Sequence, residues 1–280
     1  MHHVAIVGAG ELGGAIAHLL ARRDVVRAIT LIDETGRVAA GKALDITQAA
    51  PVEGFATQLT GSTDLSMIAA ADVIVIAERV AGGEWSGEDA LMLLKRLTQT
   101  ASRALILCAG ASAREVVDRG VRELKIARDR LFGSAPEALA GGARALVALA
   151  VNGSPRDIAL SVLGVPPART VIPWTDATAA GFALTRLVDE PTRRRLNAKV
   201  QALWPPGPHA LAAAAVKAIE SIAGRQLQIV SCFVAPDRAE QERTRTAAVP
   251  VRLGGAGIAA VVLPPLTVVE QVQLDNALQI

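Results

Sequence analysis

Gly8, Gly10 and Gly13 carry the clearest chemical signal in the chain. They follow a short apolar run, Val4–Val7, and open a stretch of helical periodicity, Glu11–Arg22. In a Gly-x-Gly-x-x-Gly pattern at a strand-to-helix junction, the first glycine makes the tight turn. The second lets the backbone approach a pyrophosphate, and the third lets the helix pack close to the sheet. Unpaired N–H groups at the helix start, from Glu11 and Leu12, then face the phosphates. Asp33 ends the next apolar run, Leu31–Asp33, at the expected distance from the glycines. A carboxylate there accepts hydrogen bonds from the adenosine ribose and repels a 2′-phosphate, so the pattern predicts NAD rather than NADP.

Other reactive side chains are few. The chain has four histidines, His2, His3, His18 and His209. The first two precede the first predicted strand, and His18 falls inside the first helix, where a packed or capped role is expected. His209, at the start of a later helix, is the sole candidate for a relocated acid or base. Cys108 and Cys232 both lie in apolar strand-like runs, which predicts buried free thiols and an intracellular, cytoplasmic protein. No metal site is expected.

The elements that must position these residues alternate through the first half. Strands are predicted at Val4–Val7, Ile29–Ile32, Val73–Ile76 and Ala104–Cys108, and helices at Glu11–Arg22, Val38–Gln48 and Glu88–Ala101. Alternation of this kind implies a parallel, doubly wound α/β sheet with crossover helices, and apolar runs without alternation imply strands buried on both faces. The second half reads as α+β. Strands are expected at Pro155–Val165 and 226–234, and helices at Thr192–Leu203, His209–Ala223 and Glu270–Leu278. A hairpin is expected from Val249–Leu253 and Ala259–Val262 around Gly254, Gly255 and Gly257. The expected division is a dinucleotide-binding domain over residues 1–135 and a substrate-type domain over 136–280.

Composition agrees. Hydrophobic residues make up 51% and aromatic residues only 2%, so the core must be built from Ala, Val, Leu and Ile. A net charge of +2 gives no case for nucleic-acid binding, and the densest basic run, Arg193–Arg195, reads as a solvated helix face. No basic, apolar leader precedes the first strand. Apolar runs such as 138–151 are too short and too interrupted to cross a membrane, so no membrane partner is expected.

Longer motifs carry a family resemblance. The run from Gly8 to Leu20, then Leu31-Ile-Asp33-Glu, then Gly41-Lys-Ala-Leu-Asp45, Thr60-Gly-Ser-Thr-Asp64 and Ala71-Asp-Val-Ile resembles the lactate/malate dehydrogenase family. So do Pro250-Val-Arg-Leu-Gly-Gly-Ala-Gly257 and Glu270 with Leu274–Ala277 near the end. The resemblance implies a Rossmann domain, an α+β substrate domain, bound NAD, and a homo-oligomer, either dimer or tetramer. It adds Ala77, just after the Val73–Ile76 strand, to the cofactor contacts Gly8, Gly10, Glu11, Leu12, Gly13 and Asp33.

Hydride exchange with a 2-hydroxy acid needs a proton-exchanging His, a carboxylate to orient it, and arginines for the substrate's own charge. At the positions matching the family's motifs these groups are missing. Ala81 and Gly87 stand where the lid arginines are expected. Ala109–Ala111 replaces an Asn-Pro pair, Leu139 replaces the Asp, Gly142 replaces the substrate Arg, and Pro166 replaces the His. Arg144 alone remains. Trp85 and Trp174 are expected near the former substrate cleft. The expectation is an NAD-binding relative that is inactive as a 2-hydroxy-acid dehydrogenase, with its catalytic residues unassigned. The alternative is an oxidoreductase for a less anionic substrate, rebuilt around His209, Arg79 or Glu84.

Overall fold

The computed structural model describes residues 1–224, 228–237 and 244–279. The first half contains β1 (His3–Val7), α1 (Glu11–Arg23), β2 (Ala28–Ile32), α2 (Gly36–Glu53), β3 (Gln58–Ser62), β4 (Val73–Ile76), α3 (Gly87–Thr100), β5 (Leu105–Cys108), α4 (Ala113–Arg122) and β6 (Leu131–Gly133). There follow α5 (Ala135–Ala150), β7 (Ile158–Ala159), β8 (Leu163–Val165), β9 (Arg169–Val171), β10 (Thr178–Ala179), β11 (Phe182–Ala183), α6 (Leu184–Leu187) and α7 (Glu190–Gln201). The chain ends with α8 (Pro208–Ile222), β12 (Ile229–Val234), β13 (Ala247–Gly254), β14 (Gly257–Val261) and α9 (Val268–Leu278).

Strands β3-β2-β1-β4-β5-β6 run parallel in that order, which is the doubly wound dinucleotide-binding order. The two runs with the plainest apolar signal, β4 and β5, are buried at every residue, as double-sided coverage by helices requires. β1 lies at the centre, with Val7 opposite Ile32 on one side and Ile76 on the other. The carboxyl ends of β1, β2 and β4 therefore share one edge, and α1 starts there.

The sheet continues past β6. Phe233 of antiparallel β12 pairs with Gly133, and β13, β8 and β9 extend the sheet, with β14 closing a hairpin on β13. That hairpin is the one the Gly-rich turn predicted. The expected domain division, after residue 135, lies at the first residue of α5. A second apolar cluster, including Leu139, Ala143, Val147, Ile172, Trp174, Leu196 and Val200, packs beneath α5 and α7.

Several local expectations change. The strand expected over Pro155–Val165 is broken into a 3-10 turn, Pro155–Asp157, and two short strands in different sheets. Between them the N–H of Val162 donates to the Ser231 hydroxyl instead of a ladder carbonyl, which lets the chain cross from one sheet to the other. His3 lies within β1 rather than before it, and its ring bonds Thr30 Oγ1 at 2.9 Å. Residues 226 and 227 of an expected strand lie outside the described residues. Trp174, expected near the cleft, is a core residue, 7% exposed. Its N–H donates to Glu270 and its indole N–H to Asn197. The Arg193–Arg195 run lies on α7, where Arg194 pairs with Glu190 and Arg195 bonds Thr192, as a solvated face should.

Glu270 fastens the last helix to the body. It accepts from Trp174 N at 2.8 Å and Thr175 Oγ1 at 3.1 Å, and from Thr267 N and Oγ1 in a capping box. Burial pushes its carboxyl up, but the donors on Thr267, Thr175 and Trp174 outweigh that and hold it below its ordinary value. A carboxyl lowered on folding stabilises the fold above its unfolded pKa and loses that effect as pH falls through the folded value. Glu270→Ala is expected to cost about 1–3 kcal/mol in urea unfolding at pH 7, because several buried donors lose their acceptor. The gap to wild type is expected to narrow as the pH drops below about 4.

Candidate functional site

The geometry of the glycine turn follows from close packing. Gly8 has φ +108°, a left-handed conformation that disfavours any side chain, and its N–H bonds Ile32 O at 2.8 Å. A Cβ on Gly13 would overlap the carbonyl of Gly8, so only glycine lets α1 begin this near the sheet. Leu12, Ile16, Ala17, Leu20 and Ala21 form the buried face of α1, and Gly10 is its N-cap with no side chain to satisfy the first amides. The helix thus begins at the edge shared by β1 and β4 with first-turn amides that must find acceptors outside the helix.

Asp33 stands where the sequence places it, at the end of β2. Its Oδ1 accepts from Thr35 N at 2.9 Å, and its Oδ2 from Ala9 N at 2.9 Å and Val80 N at 3.0 Å. Burial opposes its charge, yet the Ala9, Thr35 and Val80 amides outweigh burial and hold the carboxyl below its ordinary value. Ala77, fully inside the fold, continues β4 by donating to Val7 O at 2.9 Å. Gly8, Gly10, Glu11, Leu12, Gly13, Asp33 and Ala77 are therefore brought together at one mouth.

A residue that the sequence reading passed over also sits there. The Glu78 carbonyl accepts from Gly10 N at 3.1 Å, and its carboxylate Oε1 accepts from Leu12 N at 2.6 Å. A Cβ on Gly10 would overlap that carboxylate. Lys42 Nζ donates to Gly10 O beside it. The signal was available: an acidic residue two places beyond a strand that must neighbour the glycine-turn strand. The residues fit a dinucleotide at the turn and at the strand end, while the helix N-terminus already holds a carboxylate of the chain.

The rest of the segment after β4 is folded onto itself. Arg79 stacks over Trp85 at 4.4 Å, bonds Gly82 O and lies 3.7 Å from Asp89. Glu84 accepts from Ala111 N at 2.9 Å, from Ser112 N at 2.7 Å and from the Ser112 hydroxyl, and so occupies the start of α4. Both side chains, named above as parts of a rebuilt centre, are committed to local structure. Ile76, Ala77, Glu84, Trp85, Cys108 and Gly110 enclose space for about one water molecule. His209 is exposed at the second position of α8 and has no hydrogen bond or ion pair among the described residues. His18 bonds Glu53 at 3.0 Å, the structural role expected of it.

The positions matched to substrate chemistry hold apolar groups. Leu139 is 1% exposed within the second cluster, and Pro166 is buried in the turn between β8 and β9. A Cβ on Gly142 would lie 2.6 Å from Leu203 Cδ1. Arg144 turns to the opposite side of α5, where it pairs with Glu137. That carboxylate also takes Lys217 Nζ at 2.6 Å and Ser231 N at 2.9 Å. Cys108 and Cys232 are buried and free, and burial pushes the Cys108 thiol up to about 12. Among the described residues no three His, Cys, Asp or Glu side chains converge as a metal site, and no helix is long and apolar enough to cross a membrane.

Residues 2–98 match the family described as lactate/malate dehydrogenase, NAD binding domain. The chain is 29% identical to a malate dehydrogenase of Desulforudis audaxviator, over 98% of this chain and 94% of the relative. It is 27% identical to one of Thioalkalivibrio sulfidiphilus, over 99% and 96%. In fold it is similar to a lactate dehydrogenase of Cryptosporidium parvum solved with lactic acid and nicotinamide adenine dinucleotide. That match has a TM-score of 0.88 at 20% identity, covering 99% of this chain and 94% of the other.

Asp33 joins β2, the glycine turn and the segment after β4 through three backbone donors, so its loss should loosen all three. Asp33→Asn keeps the shape but offers only one oxygen. It is expected to lower stability by about 1–3 kcal/mol in chemical unfolding and to weaken NADH binding in a fluorescence titration.

Proposed function

We propose that this chain, which belongs to the lactate/malate dehydrogenase family, binds NAD at the glycine turn but does not interconvert 2-hydroxy and 2-oxo acids. The cofactor contacts in this reading are Gly8, Gly10, Glu11, Leu12, Gly13, Asp33 and Ala77. The observation that carries the second half is the filling of the substrate-side positions. Leu139 lies in the core where an orienting carboxylate is expected, and Leu203 covers the face of Gly142 where a guanidinium is expected. Pro166 has no proton to exchange. The family's reaction needs all three groups, and the nearest carboxylate and guanidinium, Glu137 and Arg144, are paired with each other.

Arg79 and Glu84 favour no rebuilt centre, because Arg79 is engaged by Trp85 and Gly82 and Glu84 by the start of α4. The reading extends to a protein that works by binding, as a cofactor-dependent partner or sensor. Leu44 and Val52, exposed on α2, suit assembly with copies of the same chain as a dimer or tetramer.

Loss of an acid–base group removes on the order of 10²–10⁴ in rate. Loss of a positioned charge contact removes roughly another 10²–10³. NADH oxidation followed by its absorbance with oxaloacetate or pyruvate is therefore expected to stay at background. Turnover on the order of 1–10³ s⁻¹, the usual range for enzymes, would show that the proposal is wrong.

A further inference from the structure

The segment after β4 carries a carboxylate into the position where a dinucleotide would place its pyrophosphate. Four observations converge. Leu12 N, one of the free amides of α1, donates to Glu78 Oε1 at 2.6 Å. The bare face of Gly10, which lets a phosphate come close, is covered by the same carboxylate. The backbone of Glu78 is pinned to Gly10 N, and two residues on Val80 N is pinned to Asp33. At the far end of the segment Glu84 is anchored on the first turn of α4.

We infer that Glu78 is an internal ligand of the cofactor cleft, and that NAD or NADH binds only by displacing its carboxylate from the N-terminus of α1. The inference rests on the cofactor reading above. A carboxylate at a helix N-terminus is stabilised by the same unpaired amides and helix dipole that stabilise a phosphate, so the two compete for one position. They also repel, since both are anions. The occupant is held firmly enough to fill the cleft but not ideally. Glu78 Oε2 is buried with no hydrogen-bond partner, and burial pushes the carboxyl above its ordinary value despite the Leu12 amide and nearby Lys42. A pyrophosphate, with more oxygens to offer the same amides, is the better ligand once the segment moves.

When a binding-competent state is only a fraction of the population, apparent affinity falls by that fraction. Removing the internal ligand restores it. Calorimetric titration of NADH and NAD into the wild type, Glu78→Ala and Glu78→Gln gives the test, with circular dichroism to verify the fold. Glu78→Gln keeps the length of the side chain and an acceptor for Leu12, and serves if the alanine variant does not fold. The expected result is affinity at least about tenfold tighter in Glu78→Ala, with Glu78→Gln tighter than wild type. A larger NADH-induced rise in melting temperature is expected in both variants. Unchanged or weaker binding in folded variants, beside a wild type that binds, overturns the internal ligand and leaves the cofactor reading standing. Folded variants that bind neither nucleotide overturn both.

Discussion

The N-terminus of α1 sets the terms for the rest of this protein. A helix that begins within contact of a parallel sheet leaves several amides without partners, and here its N-cap is a glycine with no side chain to offer. Such a terminus needs an anion. Everything nearby is arranged around that need. Gly8 turns the chain back, Gly13 lets the helix sit against the turn, and β4 beside β1 delivers the next residues to the same mouth. An anion at such a place is worth about 0.3–2 kcal/mol, depending on burial, so the site does not remain neutral by choice.

The same rule, that buried polar groups must find partners, governs the other end of the molecule. Leu139, Gly142 and Pro166, the positions matched to substrate chemistry, carry no charge; Leu139 and Pro166 are buried, and Leu203 lies against Gly142. On the cofactor side the amides that a phosphate would satisfy are met by Glu78. These features lie on different elements: α5, the residues after α7 and the β8–β9 turn on one side, the segment after β4 on the other. Glu137 gathers Arg144, Lys217 and Ser231 N into a network that ties α5, α8 and β12 together.

The cofactor frame was legible because it is local. Val4–Val7 and Val73–Ile76 are short apolar runs buried on both faces, and the glycine spacing and Asp33 need only the turn and the next strand to be understood. Elements with weak local signals escaped. β3, Gln-Leu-Thr-Gly-Ser, is a polar edge strand, β6 has three residues, and α5 is apolar on nearly every side and reads only as an uninterrupted run. Trp174 was placed by matching family motifs, which says nothing of which way a side chain points; it is buried and bonded to Glu270 and Asn197. Glu78 was missed for the opposite reason. Its position depends on β4 lying beside β1, a fact of sheet order, and no motif marks it.

The most direct test is a pair of crystal structures, one of the protein alone and one grown with NADH. The account predicts a Glu78 carboxylate on the Leu12 amide in the first. In the second it predicts the pyrophosphate at that amide with Glu78 and its segment turned away. A free Glu78 in the first structure would contradict it, as would NADH bound while Glu78 keeps its hold on Leu12.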